Sequence, residues 1–118
     1  MTLISGYAFS RCSKLTSITI PNSVTEIRSY AFENCTKLAS ITIGSGVTNI
    51  QWYAFYLCSQ LTTIVCNATV APTIDAYTFS SIGSYGKLYV PSGSTGYDVW
   101  MGTGNYYLGK YYWRKVEQ

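Results

Sequence analysis

The chain has 118 residues, eight basic and five acidic side chains, a net charge of +3 and no histidine. That length supports one domain with a modest core. Charge this sparse argues against the dense basic face of a nucleic-acid binder, and the missing imidazole removes the commonest metal ligand and the usual proton carrier near neutral pH.

No stretch approaches the roughly 20 uninterrupted apolar residues of a membrane span. The longest candidate, residues 64–74, is broken by Asn67, Thr69, Pro72 and Thr73, so no membrane insertion is expected. No basic-then-apolar leader opens the chain, which points to a mature form, a fragment or an intracellular protein.

In chain order, the first element is half a unit. Ile4, Tyr7, Ala8 and Phe9 return in the next unit as Ile27, Tyr30, Ala31 and Phe32. Two complete units follow, 15–37 and 38–60, and a third begins at Leu61. Equivalent residues stand 23 apart: Leu15, Leu38 and Leu61; Ile18, Ile41 and Ile64; Val24, Val47 and Val70; Phe9, Phe32 and Phe55; Cys12, Cys35 and Cys58. In Leu15-x-x-Ile18-x-Ile20 the alternate residues Ile18 and Ile20 face inward from a short strand. Pro21-Asn22 and Gly44-Ser45-Gly46 end such strands as turns. Val24 and Ile27 bring the apolar side back to the interior, and Tyr30-Ala31-Phe32 is expected to form a tight helical or irregular turn. The third unit carries one extra residue near Pro72, which shifts Ile74 and Phe79 by one. Leu88-Tyr89-Val90-Pro91 repeats Ile18-Thr19-Ile20-Pro21 and predicts a last strand. Beyond it, residues 92–118 are rich in glycine and tyrosine.

A period of 20 to 29 residues built on Leu-x-x-Ile-x-Ile marks a leucine-rich solenoid. One coil cannot enclose its own apolar residues, whereas stacked coils bury them against each other. The expected fold is a leucine-rich repeat solenoid, an α/β-type right-handed coil with short parallel strands, mostly β and loop. About three to four coils are expected over residues 1–91, with 92–118 as a C-terminal capping segment of the same structural domain.

The pattern I-x-I-P-x-x-V-x-x-I-x-x-x-A-F-x-x-C, which runs from Ile18 to Cys35 and, with Gly44 for proline, from Ile41 to Cys58, closely resembles the BspA-like leucine-rich repeats. The resemblance covers residues 3–91. It implies a cell-surface or secreted protein of the kind found in bacteria and some protists, with an adhesion or host-interaction role and many more repeats than this chain holds.

Among residues that could carry chemistry, the cysteines come first. Cys12, Cys35 and Cys58 fall in one column, spaced by the strand separation of about 4.8 Å, a distance that disulfide geometry tolerates. Ile82 takes the same place in the next unit, and Cys66 stands where Ile20 and Ile43 stand. Reduced, buried thiols explain that pattern better than a bridge does. With no C-x2-C pair and no histidine, no metal is expected. The carboxylates Glu26, Glu33, Asp75, Asp98 and Glu117 show no pairing, so no catalytic residue and no cofactor are assigned and the chain reads as non-enzymatic. Gly102-Thr103-Gly104-Asn105 lacks the glycine and lysine of a phosphate cradle. Asn34-Cys35-Thr36 and Asn67-Ala68-Thr69 match a glycosylation acceptor only formally.

Two surfaces are candidates for ligand binding. The first is the row of outward strand residues Thr16, Ser17, Thr19, Ala39, Ser40, Thr42, Thr62, Thr63 and Val65, a flat ribbon lined with hydroxyls. Sheet propensity alone would also place Thr there. The second is an aromatic platform of Trp100, Tyr106, Tyr107 and Trp113, residues that could equally close the apolar end of the solenoid. The basic cluster Lys110, Arg114 and Lys115 reads as a solvated face. The expected function is a protein- or glycan-interaction module, with a structural spacer and a carbohydrate-binding accessory as alternatives. The chain opens in mid-coil, so self-association through its uncapped N-terminal edge, or a missing upstream segment, is also expected.

Overall fold

The computed structural model describes residues 2–118. In chain order its strands are β1 (Thr2–Ile4), β2 (Ser17–Ile20), β3 (Val24–Ile27), β4 (Ser40–Ile43), β5 (Asn49–Ile50), β6 (Thr63–Cys66), β7 (Lys87–Val90) and β8 (Arg114–Glu117), with one 3-10 turn at Leu108–Tyr111. All pairings are parallel, and the chain winds as a β-solenoid of about five turns. Each turn adds one strand to a five-stranded sheet in the order β2-β4-β6-β7-β8. The first three also add a strand to a smaller sheet, β1-β3-β5.

The repeat period fixes the register. Ile18 pairs with Ile41, Ile41 with Ile64 and Ile64 with Leu88, while Ile20, Ile43 and Cys66 form the next inward column. Inward positions of β4, β6 and β7 are buried and alternate with more exposed neighbours, the period-2 signature of a sheet with one dry face. Leu15, Leu38 and Leu61 stand in file ahead of these strands, each with its N–H donated to the cysteine carbonyl three residues earlier. Phe9, Phe32, Phe55 and Phe79 stack through the interior at centroid distances of 5.2, 5.4 and 5.7 Å, with their rings nearly parallel. Trp100 follows at 5.3 Å from Phe79.

Two features differ from the sequence reading. The small sheet was not expected: Val24 and Ile27 do turn inward, but they do so at the two ends of a strand whose middle residues are half-exposed. A fifth strand, β8, pairs with β7 inside the segment assigned to the cap. Of the two forms expected for the Tyr-Ala-Phe segment, a tight helical or an irregular turn, it takes the irregular turn. Tyr7, Tyr30 and Tyr53 take left-handed backbone with φ of 61°, 61° and 57°, as do Arg11, Asn34 and Leu57 at 61°, 58° and 63°. This geometry turns amides along the solenoid axis. Phe32 N–H donates to Ala54 O at 2.8 Å, and Asn34 N–H to Tyr56 O at 2.6 Å.

Left-handed backbone costs a residue with a Cβ about 1–2 kcal/mol, least for asparagine and most for β-branched types. Of the equivalent residues Asn34 and Leu57, only the first suits its backbone. Leu57→Asn is therefore expected to hold stability within about 1 kcal/mol, whereas Leu57→Ile should cost about 1–2 kcal/mol. Paired urea titrations read the difference. Gly44 and Gly46 answer a different constraint: a Cβ on Gly46 would lie 2.1 Å from Asn22 O, and one on Gly44 2.5 Å from Pro21 O. The second turn of the coil sits directly on the backbone of the first.

The extra residue in the third coil ends the small sheet. Asn49 and Thr73 form only an isolated bridge, and after it Tyr53 and Tyr77 come back into line.

Candidate interaction surface

The outward face of the five-stranded sheet consists of two registered columns. One runs Ser17, Ser40, Thr63, Lys87, Arg114, and the other Thr19, Thr42, Val65, Tyr89, Val116. All of these side chains are exposed or half-exposed. Thr16, Ala39 and Thr62 lie one residue before their strands, exposed at the margin of the face, and the carbonyls of all three accept inter-coil hydrogen bonds. The sheet therefore aligns the sequence-derived ribbon and adds Lys87, Tyr89, Arg114 and Val116 to it. Lys87 and Tyr89 were legible from the Leu88-Tyr89-Val90-Pro91 match. Arg114 and Val116 were not, because Arg-Lys-Val-Glu carries no apolar alternation. The face changes along its length from small hydroxyls to two cations and a tyrosine.

The basic cluster is divided by this arrangement. Arg114 joins the outward column, Lys110 lies on the 3-10 turn, and Lys115 sits 3.6 Å from Asp98.

The aromatic residues of 92–118 separate as well. Trp100 is 1% exposed and Trp113 5%, with their indole N–H groups donated to Pro72 O at 3.0 Å and Gly83 O at 2.7 Å. Tyr97 is buried too, and its hydroxyl donates to Ala68 O at 2.7 Å. Rings with the polar atom satisfied inside and the apolar body covered present no free face to a ligand. Tyr106 stays at the surface, and Tyr107 is half-buried. The four residues do not form one exposed platform.

The thiols of Cys35, Cys58 and Cys66 are fully buried and that of Cys12 partly so. Cys35 Sγ and Cys58 Sγ each donate to a phenylalanine carbonyl of the preceding coil, Phe9 O and Phe32 O, at 3.0 Å. The adjoining Cys35 sulfur and burial push the Cys58 thiol up, the hydrogen bond with Cys58 draws the Cys35 thiol down to about 7, and burial pushes the Cys66 thiol up. The two raised thiols hold their protons and are poor nucleophiles. The Arg28 guanidinium, at 2.7 Å, holds the Glu26 carboxyl below its usual range, and Glu33 accepts a hydrogen bond from Ser10 Oγ at 2.7 Å. Among the described residues, no three Cys, Asp or Glu side chains gather into a metal-holding group, and no helix is long and apolar enough to cross a membrane.

A parallel coil with a strand per turn, an aliphatic and phenylalanine interior and a registered outward face defines a leucine-rich repeat protein. The family described as BspA type Leucine rich repeat region matches residues 1–100 in six copies, and the chain belongs to that family. No curated protein and no solved structure matches it. Such repeats form interaction or structural modules.

Proposed function

We propose that this chain is a non-catalytic interaction module of a cell-surface or secreted protein with an adhesion-related role. Its ligand is an extended segment of another protein, received by the outward face of the five-stranded sheet. One observation carries the reading: outward side chains of five successive strands stand in unbroken register, with Ser17, Ser40, Thr63, Lys87 and Arg114 in one file. Short hydroxyl side chains let a partner backbone come close and offer it both donors and acceptors. Lys87 and Arg114 add attraction for an acidic end. In this reading residues 92–118 cap the solenoid of 1–91, with Trp100 resting on Phe79. The β2 edge of the sheet is paired on one side only and carries half-buried Leu15 and Ile18, a surface suited to a further coil or a second copy.

Surface plasmon resonance against a panel of immobilised extracellular proteins tests this reading. Replacing Thr42 and Val65 together with arginine puts two long cations in the middle of the face. Those substitutions should weaken any captured ligand at least about tenfold, which corresponds to roughly 1.4 kcal/mol. They should leave the thermal midpoint within a few degrees of the parent. Capture that survives them removes the sheet face as the site. Failure of the whole panel favours the spacer reading.

A further inference from the structure

Behind the small sheet lies a groove of about 400 Å³ lined by Asn49, Ile50, Gln51, Trp52, Thr73, Ile74 and Asp75. It opens where the extra residue of the third coil interrupts the β1-β3-β5 stack, leaving Asn49 and Thr73 joined by a single bridge. It is separate from the outward face of the five-stranded sheet.

Trp52 is the unusual member. The neighbouring column stacks tyrosine on tyrosine, with Tyr7, Tyr30, Tyr53 and Tyr77 at centroid distances of 5.0, 5.3 and 5.4 Å. In the column of Trp52, the coil before carries Ser29 and the coil after carries Ala76. Among the described residues no aromatic ring stacks face to face on the indole, which makes tilted ring contacts with Tyr30 and Tyr53 at 6.3 and 5.6 Å. It is 51% exposed, while Trp100 and Trp113 are buried. A large aromatic left half in water beside a concavity is a characteristic contact surface.

The polar lining is held in place from behind and is unsaturated in front. Gln51 Oε1 accepts from Ser29 N at 3.1 Å and Ser29 Oγ at 3.3 Å, which leaves the Gln51 amide N–H groups as donors. Asn49 Nδ2 donates toward Glu26 Oε2 at 3.5 Å, which leaves the Asn49 carbonyl oxygen as an acceptor. Asp75 Oδ1 accepts from Tyr77 N at 2.8 Å, which leaves its second oxygen. Glu26 and Arg28 neutralise each other nearby at 2.7 Å. The groove thus offers one exposed indole, one amide donor, two acceptors and the Thr73 hydroxyl, with a single net charge.

We infer that this groove is a saccharide-binding site that takes a mono- or disaccharide unit of an uncharged glycan, with the sugar's C–H face on Trp52 and its edge hydroxyls on Asn49, Gln51 and Asp75. Its volume falls in the range of small-ligand sites, about 300–1,000 Å³. The apolar face and hydroxyl edge of a pyranose match an aromatic wall with paired donors and acceptors, whereas an organic cation would leave the amides unused. The site is independent of the sheet face, so either can fail without the other.

The test uses the whole chain and isothermal titration calorimetry with β-linked hexasaccharides of glucose, mannose, galactose and N-acetylglucosamine. Trp emission is followed in parallel, since Trp52 is the exposed indole. At least one hexasaccharide should bind with a dissociation constant below about 1 mM and shift the emission to the blue. Trp52→Ala should abolish binding, and Asp75→Asn and Gln51→Ala should each weaken it about tenfold, with thermal midpoints near that of the parent. The inference is overturned if none of the sugars binds, or if binding survives Trp52→Ala unchanged. It is also overturned if tetramethylammonium or oligolysine binds in place of every sugar.

Discussion

Phe55→Ala is expected to lower the stability of the fold by about 3–5 kcal/mol, a large part of the roughly 5–15 kcal/mol that holds a typical domain together. Phe55 is fully buried and stacks on both sides, 5.4 Å from Phe32 and 5.7 Å from Phe79. Removing its ring opens a void between coils that cannot close, because inter-coil hydrogen bonds on both sides fix the spacing: Phe32 N–H to Ala54 O and Phe55 N–H to Phe79's neighbour Thr78 O. The position of the residue in the column sets the magnitude. Phe9 is only half-buried and stacks on one side, so Phe9→Ala should cost about half as much. Urea titrations of the two variants give the comparison. Equal losses would show that the column does not act as a continuous stack.

Gly86→Ala is expected to be as damaging, although it adds a single methyl group. A Cβ there would lie 2.4 Å from Trp113 Cε2 and 2.7 Å from Thr62 O. Backbone closes one side and a rigid indole the other, so Trp113 must leave its place. Its departure breaks the hydrogen bond to Gly83 O at 2.7 Å, next to the Arg114 N–H to Gly86 O bond at 3.0 Å that starts the β7-β8 pairing. A cost of about 3–5 kcal/mol follows, comparable to deleting a buried tryptophan. Hydrogen exchange should show Arg114–Glu117 losing protection while β2, β4 and β6 keep theirs. Gly104→Ala is the control: no atom lies within 4 Å of its added Cβ, and the change should stay within about 0.5 kcal/mol. Full protection of β8 in Gly86→Ala would show that Trp113 does not secure the strand.

How far the sequence could be read follows from what each feature depends on. The columns of leucine, isoleucine, valine, phenylalanine and cysteine could be read because each repeats a residue type at one spacing, and that spacing becomes the register of β2, β4 and β6, with β7 one residue later. Strand β3 was hidden because Val-Thr-Glu-Ile does not alternate; its pairing comes from the coil beneath, not from its own pattern. Strand β8 was hidden for a related reason, since it carries Lys115 and Glu117 where its neighbour β7 carries Leu88 and Val90. The left-handed tyrosines have no local signature, because their conformation is set by amides that must reach the neighbouring turn. For Trp100 and Trp113, the sequence allowed both exposure and burial, and only the positions of the Pro72 and Gly83 carbonyls decide between them. The Trp52 groove was the least accessible: it depends on what adjacent coils lack, serine on one side and alanine on the other, combined with a one-residue insertion.

The parallel stacking has a metric consequence. Adjacent strands lie about 4.8 Å apart, so five of them make a ruler roughly 19 Å long with a mark at every coil. An extended polypeptide advances about 3.3 Å per residue. Three of its residues thus span nearly the same length as two intervals of the sheet, about 9.9 against 9.6 Å. A chain laid across the strands would return to phase at every third residue, and about six residues would cover the whole scale.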